Sequence, residues 1–240
     1  MLLSTWISLK DVQLNILKHP LKELGQKHSV NFLKYKKYFR KTSLKQEKIG
    51  QQFLSEIALK KPKNFLEIGV FHGVTARNVC ELLYSLHNED FNYIGLDLFG
   101  ESIENTSEII PSTKFKNPLK KIYFEYILRK DPYSIEAVLD LLKKFKKNVH
   151  LIKGNSNQLL KKIDMSKIDY VFLDGGHAYE TVKSDLYYSK VVLDNNGTIL
   201  CDDYNLSYAP GVKKAIDEFI SDNNLKSEII FERFAKIEKN

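Results

Sequence analysis

Between residues 64 and 203, short apolar runs alternate with longer stretches of helical periodicity, and this alternation constrains the fold more than any other feature. The runs NFLEIGV (64–70), NYIGLDL (92–98), VHLIKG (149–154), IDYVFLD (168–174) and GTILCDD (197–203) predict strands. They are continuously apolar rather than alternating, as expected of strands covered on both faces. Helices are predicted at 74–88, with Val79, Leu82, Leu83 and Leu86 inward, and at 134–146, with Ile135, Val138, Leu139 and Leu142 inward. Two more are predicted at 179–193, closed by Asn195-Asn196-Gly197 as a C-cap and turn, and at 211–222. Strands alternating with such helices make βαβ units, so the expected class is α/β with a mostly parallel sheet. SEIIF and FAKIEK could close that sheet as an antiparallel hairpin.

The 240 residues suffice for one such domain, at 46–240, preceded by an N-terminal helical extension at 1–45. In the extension, YKKYFRK at 35–41 suggests an amphipathic helix that covers the domain or forms a homo-oligomer contact, with an RNA-binding arm the less favoured alternative. Residues 46–60 predict a helix with Ile49, Phe53, Ile57 and Leu59 on its apolar face, stopped by Pro62. The stretch 99–133 is long, holds three prolines and leaves the sheet after the second strand, where a substrate lid would sit.

No run is long enough to span a membrane, and the N-terminus lacks the basic region and cleavage site of a secretory signal. Two cysteines, one in a predicted helix and one in a predicted strand, suit a reducing cytoplasm. The formal net charge is +7, yet 33 of the 37 basic residues are lysine and four arginine. Nucleic-acid readers favour arginine for bidentate contacts, so the charge is read as solvated helix faces, with an anionic acceptor as an alternative.

In an open parallel sheet, ligands bind beyond the carboxyl ends of the strands. After the first strand, Gly69 would let the backbone approach a ligand and Gly73 would let the following helix pack closely. That helix's N-terminus offers free N–H groups to a carboxylate. The spacing is not G-x-G-x-x-G, since Phe71 replaces the middle glycine, which argues against a nicotinamide enzyme. Asp97, ending the second strand, could accept two hydrogen bonds from a diol such as ribose, or merely finish the strand. Asn155 and Ser156, after the third, could meet an adenine edge or cap a short helix. Asp174, Asp202 and Asp203 stand at the ends of the fourth and fifth strands, about 4.8 Å apart if these are neighbours. Carboxylates so close repel unless a proton or cation sits among them, and a hard ion such as Mg²⁺ suits oxygen ligands. The alternative is that Asp202 and Asp203, being consecutive, point apart.

Taken in order, FLEIGVFHGVTARN, YIGLDLFGES, IDYVFLDGGHAYETVKSDL and GTILCDDY resemble the motifs of class I S-adenosylmethionine (SAM)-dependent methyltransferases, across roughly residues 45 to 238. More narrowly they resemble the macrocin-type and catechol-type small-molecule O-methyltransferases. The resemblance implies a Rossmann-like, mostly parallel seven-stranded sheet flanked by helices, with a closing antiparallel hairpin. It implies that Gly69 and Gly73 line the methionine end of SAM, with Glu67 near its amino group, Asp97 at the ribose, and Asn155 and Ser156 at the adenine. It implies Mg²⁺ held by Asp174, Asp202 and Asp203, and His177, three residues after Asp174, as the base that deprotonates a sugar hydroxyl. Asp174 would thus serve cofactor, metal and catalysis together. His72 stands where many relatives differ; packing at the turn is favoured over contact with the acceptor. Tyr179 and Tyr204 either line the acceptor pocket or pack against it. Two rival readings are a nucleic-acid methyltransferase, disfavoured because Asp174-Gly-Gly-His stands where base-amine enzymes carry Asn/Asp-Pro-Pro-Tyr/Phe, and a SAM-binding protein without transferase activity.

Overall fold

The computed structural model describes residues 42–100, 118–129, 131–162 and 167–239. Most of the expected N-terminal extension, its suggested subunit contact, and half of the expected lid lie outside these residues. The order is α1 (Glu47–Lys60), β1 (Asn64–Ile68), α2 (Val74–His87), β2 (Asn92–Asp97), α3 (Pro118–Ile122), α4 (Ile135–Leu141) and β3 (Val149–Lys153). Then follow α5 (Ser156–Leu159), β4 (Ile168–Leu173), α6 (Tyr179–Val192), β5 (Leu193–Cys201), α7 (Pro210–Asn223), β6 (Lys226–Ile230) and β7 (Phe234–Glu238). Among the described residues no helix is long and apolar enough to cross a membrane.

The seven strands form one sheet in the order β3-β2-β1-β4-β5-β7-β6. The first five are parallel, and β7 runs antiparallel to both β5 and β6. The chain winds outward from β1 to one edge, then returns beside β1 with β4 and winds the other way. The topological switch point therefore falls between β1 and β4, where a ligand crevice opens beyond the carboxyl ends.

Period-two alternation along the strands splits the core into two layers. Phe65, Tyr93, Tyr170, Phe172 and Phe234 face the side covered by α1, α2 and α4. Leu66, Leu96, Val171, Ile199 and Ile237 face the side covered by α6 and α7. Phe53 of α1 shows what seats a helix here: its ring lies 4.6 Å from that of Phe172 and 6.3 Å from that of Phe234. Burying one such ring contributes about 1.5–3 kcal/mol, and Phe53→Ala would leave a cavity as well.

Local sequence sets the helix ends. Lys61 adopts the left-handed conformation and its N–H closes α1 on the Ile57 carbonyl. Ser134 caps α4 by accepting from the Ala137 N–H at 3.2 Å, and Pro210 opens α7, where its missing N–H is not needed. Three expectations are corrected. Leu59 and Leu139 are exposed, and Leu54, Ala58 and Phe145 are buried in their vicinity instead. The helix expected at 134–146 ends at Leu141 and gives way to a 3-10 turn at Lys143–Phe145. Asn195-Asn196-Gly197 does not cap α6: Leu193, extended, ends the helix and begins β5 directly. Asn196 takes a positive φ of 65° inside β5, where the pairing with β4 shifts register, so its turn propensity makes an irregularity within the strand rather than a break before it.

Candidate active site

The parallel strands hand on their hydrogen bonds past their own ends. The Gly69 N–H donates to the Leu96 carbonyl at 2.9 Å, Asp174 N–H to Ile68 at 2.9 Å and Asp202 N–H to Leu173 at 2.8 Å. The residues beyond β1, β4 and β5 thus keep sheet register and form a firm platform.

Gly69 sits at φ +97°, and a Cβ there would lie 2.0 Å from the Asp174 carbonyl oxygen. No side chain fits, for both conformational and steric reasons. Gly73, at φ +72°, precedes α2, and a Cβ would meet Val138 of α4 at 2.6 Å. The two glycines let β4 and α4 close on the first turn and leave the start of α2 with unpaired backbone donors of the kind that receive anions.

Asp97 ends β2 and braces that turn: one carboxylate oxygen accepts from the Phe71 N–H at 2.8 Å and the other from the Phe99 N–H at 2.8 Å. Each oxygen has a second lone pair, so the geometry is compatible with a further diol contact. Phe71, at φ +52°, meets the rings of His72 and Tyr133 edge to face, with centroids 3.9 Å and 4.8 Å away. His72 thus packs into an aromatic cluster at the turn, 5.5 Å from Tyr133. Asn155 caps α5, accepting from the Asn157 N–H at 3.0 Å, and Ser156 is the first residue of that helix.

Glu67 lies fully buried, its carboxylate accepting from the Tyr93 hydroxyl at 2.6 Å. Its other oxygen finds no hydrogen-bond partner among the described residues. Burial, with a contribution from Asp97, pushes its pKa up to about 8 against the pull of the Tyr93 hydrogen bond. Glu67 therefore stands beneath the turn between β1 and α2, in the layer of Tyr93 and Cys80, rather than on its surface.

Asp174, Asp202 and Asp203 converge, each placing one carboxylate oxygen within 4.8 Å of those of the other two. Consecutive residues in an extended chain point apart; Asp203 escapes this by taking φ +60°, a turn that sends its side chain back beside Asp202. His177 joins them, its Nε2 3.0 Å from an Asp203 oxygen. Burial, and then repulsion from Asp202 and Asp203, push the Asp174 carboxyl well above the usual range, with Arg233 offsetting part of this. Burial also pushes Asp202 up to about 6, against the hydrogen bond from Arg233. Such a cluster is electrostatically incomplete, and a hard divalent cation suits its oxygen donors. These side chains line a cleft of about 340 Å³, space open to solvent included, walled by Val182, Val212 and Ile216.

Two contributors escaped sequence reasoning. Arg233, in the β6–β7 turn, grips Asp202. Tyr208, exposed at the rim, holds its ring 6.2 Å from that of His177. Tyr179 and Tyr204 instead turn their hydroxyls to α7, donating to Glu218 at 2.5 Å and Asp217 at 2.7 Å. They pin the loops that carry the site.

With this geometry in view, comparison with known proteins is informative. The model of a family described as a methyltransferase domain matches residues 66–204. Among solved structures the chain resembles the O-methyltransferase NovP, at 19% identity and TM-score 0.60, over 80% of this chain and 81% of that one. It resembles the calicheamicin methyltransferase CalS11 at 14% identity and TM-score 0.59, over 98% and 94% of the two chains. CalS11 is also described as a TDP-rhamnose 3′-O-methyltransferase. A third is a caffeoyl-CoA O-methyltransferase-like protein from Staphylococcus aureus, at 15% identity and TM-score 0.55, over 97% and 100%. No curated protein matches the chain. At these identities the structures speak for the fold, and the family match covers more than half of the sequence: the chain belongs to the methyltransferase-domain family.

Proposed function

We propose that this protein methylates a hydroxyl oxygen of a small acceptor, such as a sugar or glycoside, using SAM and a divalent cation. The observation that carries the reading is the convergence of Asp174, Asp202 and Asp203, with His177 held 3.0 Å from Asp203. NovP and CalS11 support the oxygen acceptor, and CalS11 the sugar.

SAM supplies a sulfonium methyl group that is already activated. The protein's task is to align it and to make the acceptor nucleophilic. Gly69 and the start of α2 would receive the methionine end, Asp97 the ribose, and Asn155 and Ser156 the adenine end. The unpartnered oxygen of Glu67 fits a cationic amino group as its eventual neighbour, through water or a shift of the turn, because the carboxylate is fully buried. Asp174, Asp202 and Asp203 would hold Mg²⁺, which would supply charge stabilisation to a developing alkoxide.

A sugar hydroxyl is barely ionised at neutral pH, so its proton needs an acceptor as the C–O bond forms. In the tautomer that donates Nε2–H to Asp203, the basic lone pair of His177 sits on Nδ1. Asp203 then fixes the ring and stabilises the imidazolium once the proton has arrived, as a buried carboxylate does for a histidine base.

The test is production of S-adenosylhomocysteine by the purified full chain with nucleotide sugars, glycosides and catechols. Turnover should vanish with a chelator and return with Mg²⁺ or Mn²⁺. His177→Gln should lower turnover about 10²–10⁴-fold with SAM affinity unchanged. Intact SAM binding without turnover on any hydroxyl acceptor would overturn the reading in favour of a binding protein.

A further inference from the structure

We infer that Arg233 is a built-in cation of the acidic site, which occupies Asp202 and holds the affinity of the cluster for divalent metal low. The inference rests on the reading of the three aspartates as a cation site and adds a residue which that reading does not contain.

The donor accounting at Asp202 carries the argument. An ionised carboxylate offers about four lone-pair positions. At Asp202, Oδ1 accepts from Arg233 Nε at 2.6 Å and from the Asp203 N–H at 2.7 Å, and Oδ2 accepts from Arg233 Nη2 at 2.6 Å. Three of the four positions are taken, two of them by the planar fork of one guanidinium, the strongest neutralising partner a carboxylate meets in a protein. The pair is sheltered: the Asp202 side chain is fully buried and that of Arg233 is 18% exposed. The same Nη2 also lies 3.9 Å from an Asp203 oxygen. A metal ion at the cluster must therefore share Asp202 with a fixed positive charge and accept the repulsion of that charge.

The fold takes pains to place this arginine. Arg233 follows a tight turn in which its N–H donates to the Ile230 carbonyl at 3.1 Å. Both intervening residues, Phe231 and Glu232, have positive φ, 54° and 55°, a conformation suited to Asn or Gly and costly for these two side chains. The Arg233 carbonyl accepts from the Tyr204 N–H at 2.8 Å, tying the hairpin to the loop after Asp203. Its third nitrogen donates to the Ser43 carbonyl at 3.4 Å. In a chain that uses lysine for 33 of its 37 basic residues, the arginine here provides the one side chain able to fill both carboxylate oxygens in a plane.

The experiment measures binding of Mn²⁺ alone to the full chain, without SAM, for the wild type, Arg233→Gln and Arg233→Lys. The expected result is at least tenfold tighter Mn²⁺ binding by R233Q, with R233K in between, because lysine keeps the charge but releases part of the fork. R233K carries the test if R233Q fails to fold. Equal or weaker binding by the variants, or no Mn²⁺ binding by any of the three proteins, would overturn the inference. If the wild type binds Mn²⁺ and the variants bind no better, the metal reading stands and the role of Arg233 falls. If only the variants bind, Arg233 stands and it is the metal requirement of the native enzyme that fails.

Discussion

The two ends of the sheet treat carboxylates in opposite ways. At the amino ends, Glu238 at the close of β7 meets Lys60 at 2.7 Å and Lys226 at 3.2 Å, and Lys60 above all holds its pKa down to about 2. Asp169, at the start of β4, accepts from the backbone N–H groups of Lys63 and Asn64 at 2.8 Å each. Both acids have matched partners there. At the carboxyl ends, Glu67, Asp174 and Asp202 are all pushed upward by burial, and Arg233 is shared among three aspartates. The same strand carries both regimes, since Arg233 immediately precedes β7 and Glu238 ends it. Carboxylates saturated by ion pairs or backbone N–H groups serve the fold, whereas acids held at a cost are candidates for a ligand site.

That contrast can be broken experimentally. Asp174→Asn should lower methyl transfer about a thousandfold while leaving the melting temperature of the ligand-free protein equal or higher, because a buried, repelled acid is removed. A fall in melting temperature with activity retained would place Asp174 among the structural acids. Glu67→Gln sharpens the comparison through pH. A carboxyl raised from 4.5 to about 8 in the fold contributes stability in full below pH 4.5 and loses it as pH rises through about 8. Wild-type stability should therefore decline across that window by up to about 1.4 kcal/mol per pH unit. E67Q should lack this slope in denaturant titrations at pH 5, 6.5 and 8; identical slopes would remove Glu67 as its source. Glu238→Gln gives the smallest effect and the opposite sign. A depressed carboxyl contributes stability above its unfolded pKa and loses it as pH falls, so E238Q should cost about 1 kcal/mol at neutral pH and nearly nothing near pH 2. Turnover should not change.

Sequence reasoning located the five parallel strands because each is an unbroken apolar run, a signal that survives without tertiary context. It placed Asp97, Asp174, Asp202 and Asp203 at strand ends, and the switch-point rule then gathered them on one edge. It went astray at Asn195-Asn196-Gly197, whose turn chemistry appears as a register shift inside β5, between the pairs Ile168–Leu193 and Tyr170–Thr198, rather than as a helix cap. It could not find Arg233. Residue 233 lies 31 positions from Asp202 and meets it only because β7 pairs with β5, Cys201 opposite Ala235. A short hairpin sequence carries no mark of which strand it will join. For Tyr179 and Tyr204 sequence reasoning left open lining the pocket or packing against it; both pack on the core, with their hydroxyls committed to Glu218 and Asp217, a choice set by the docking of α7.

The contact of Gly69 with the Asp174 carbonyl has a mechanical consequence. Where a single methyl group would come within 2.0 Å of a neighbouring backbone, two loops have no slack between them. A displacement of the first loop toward the second must therefore move both, so the β1–α2 turn and the segment after β4 behave as one body.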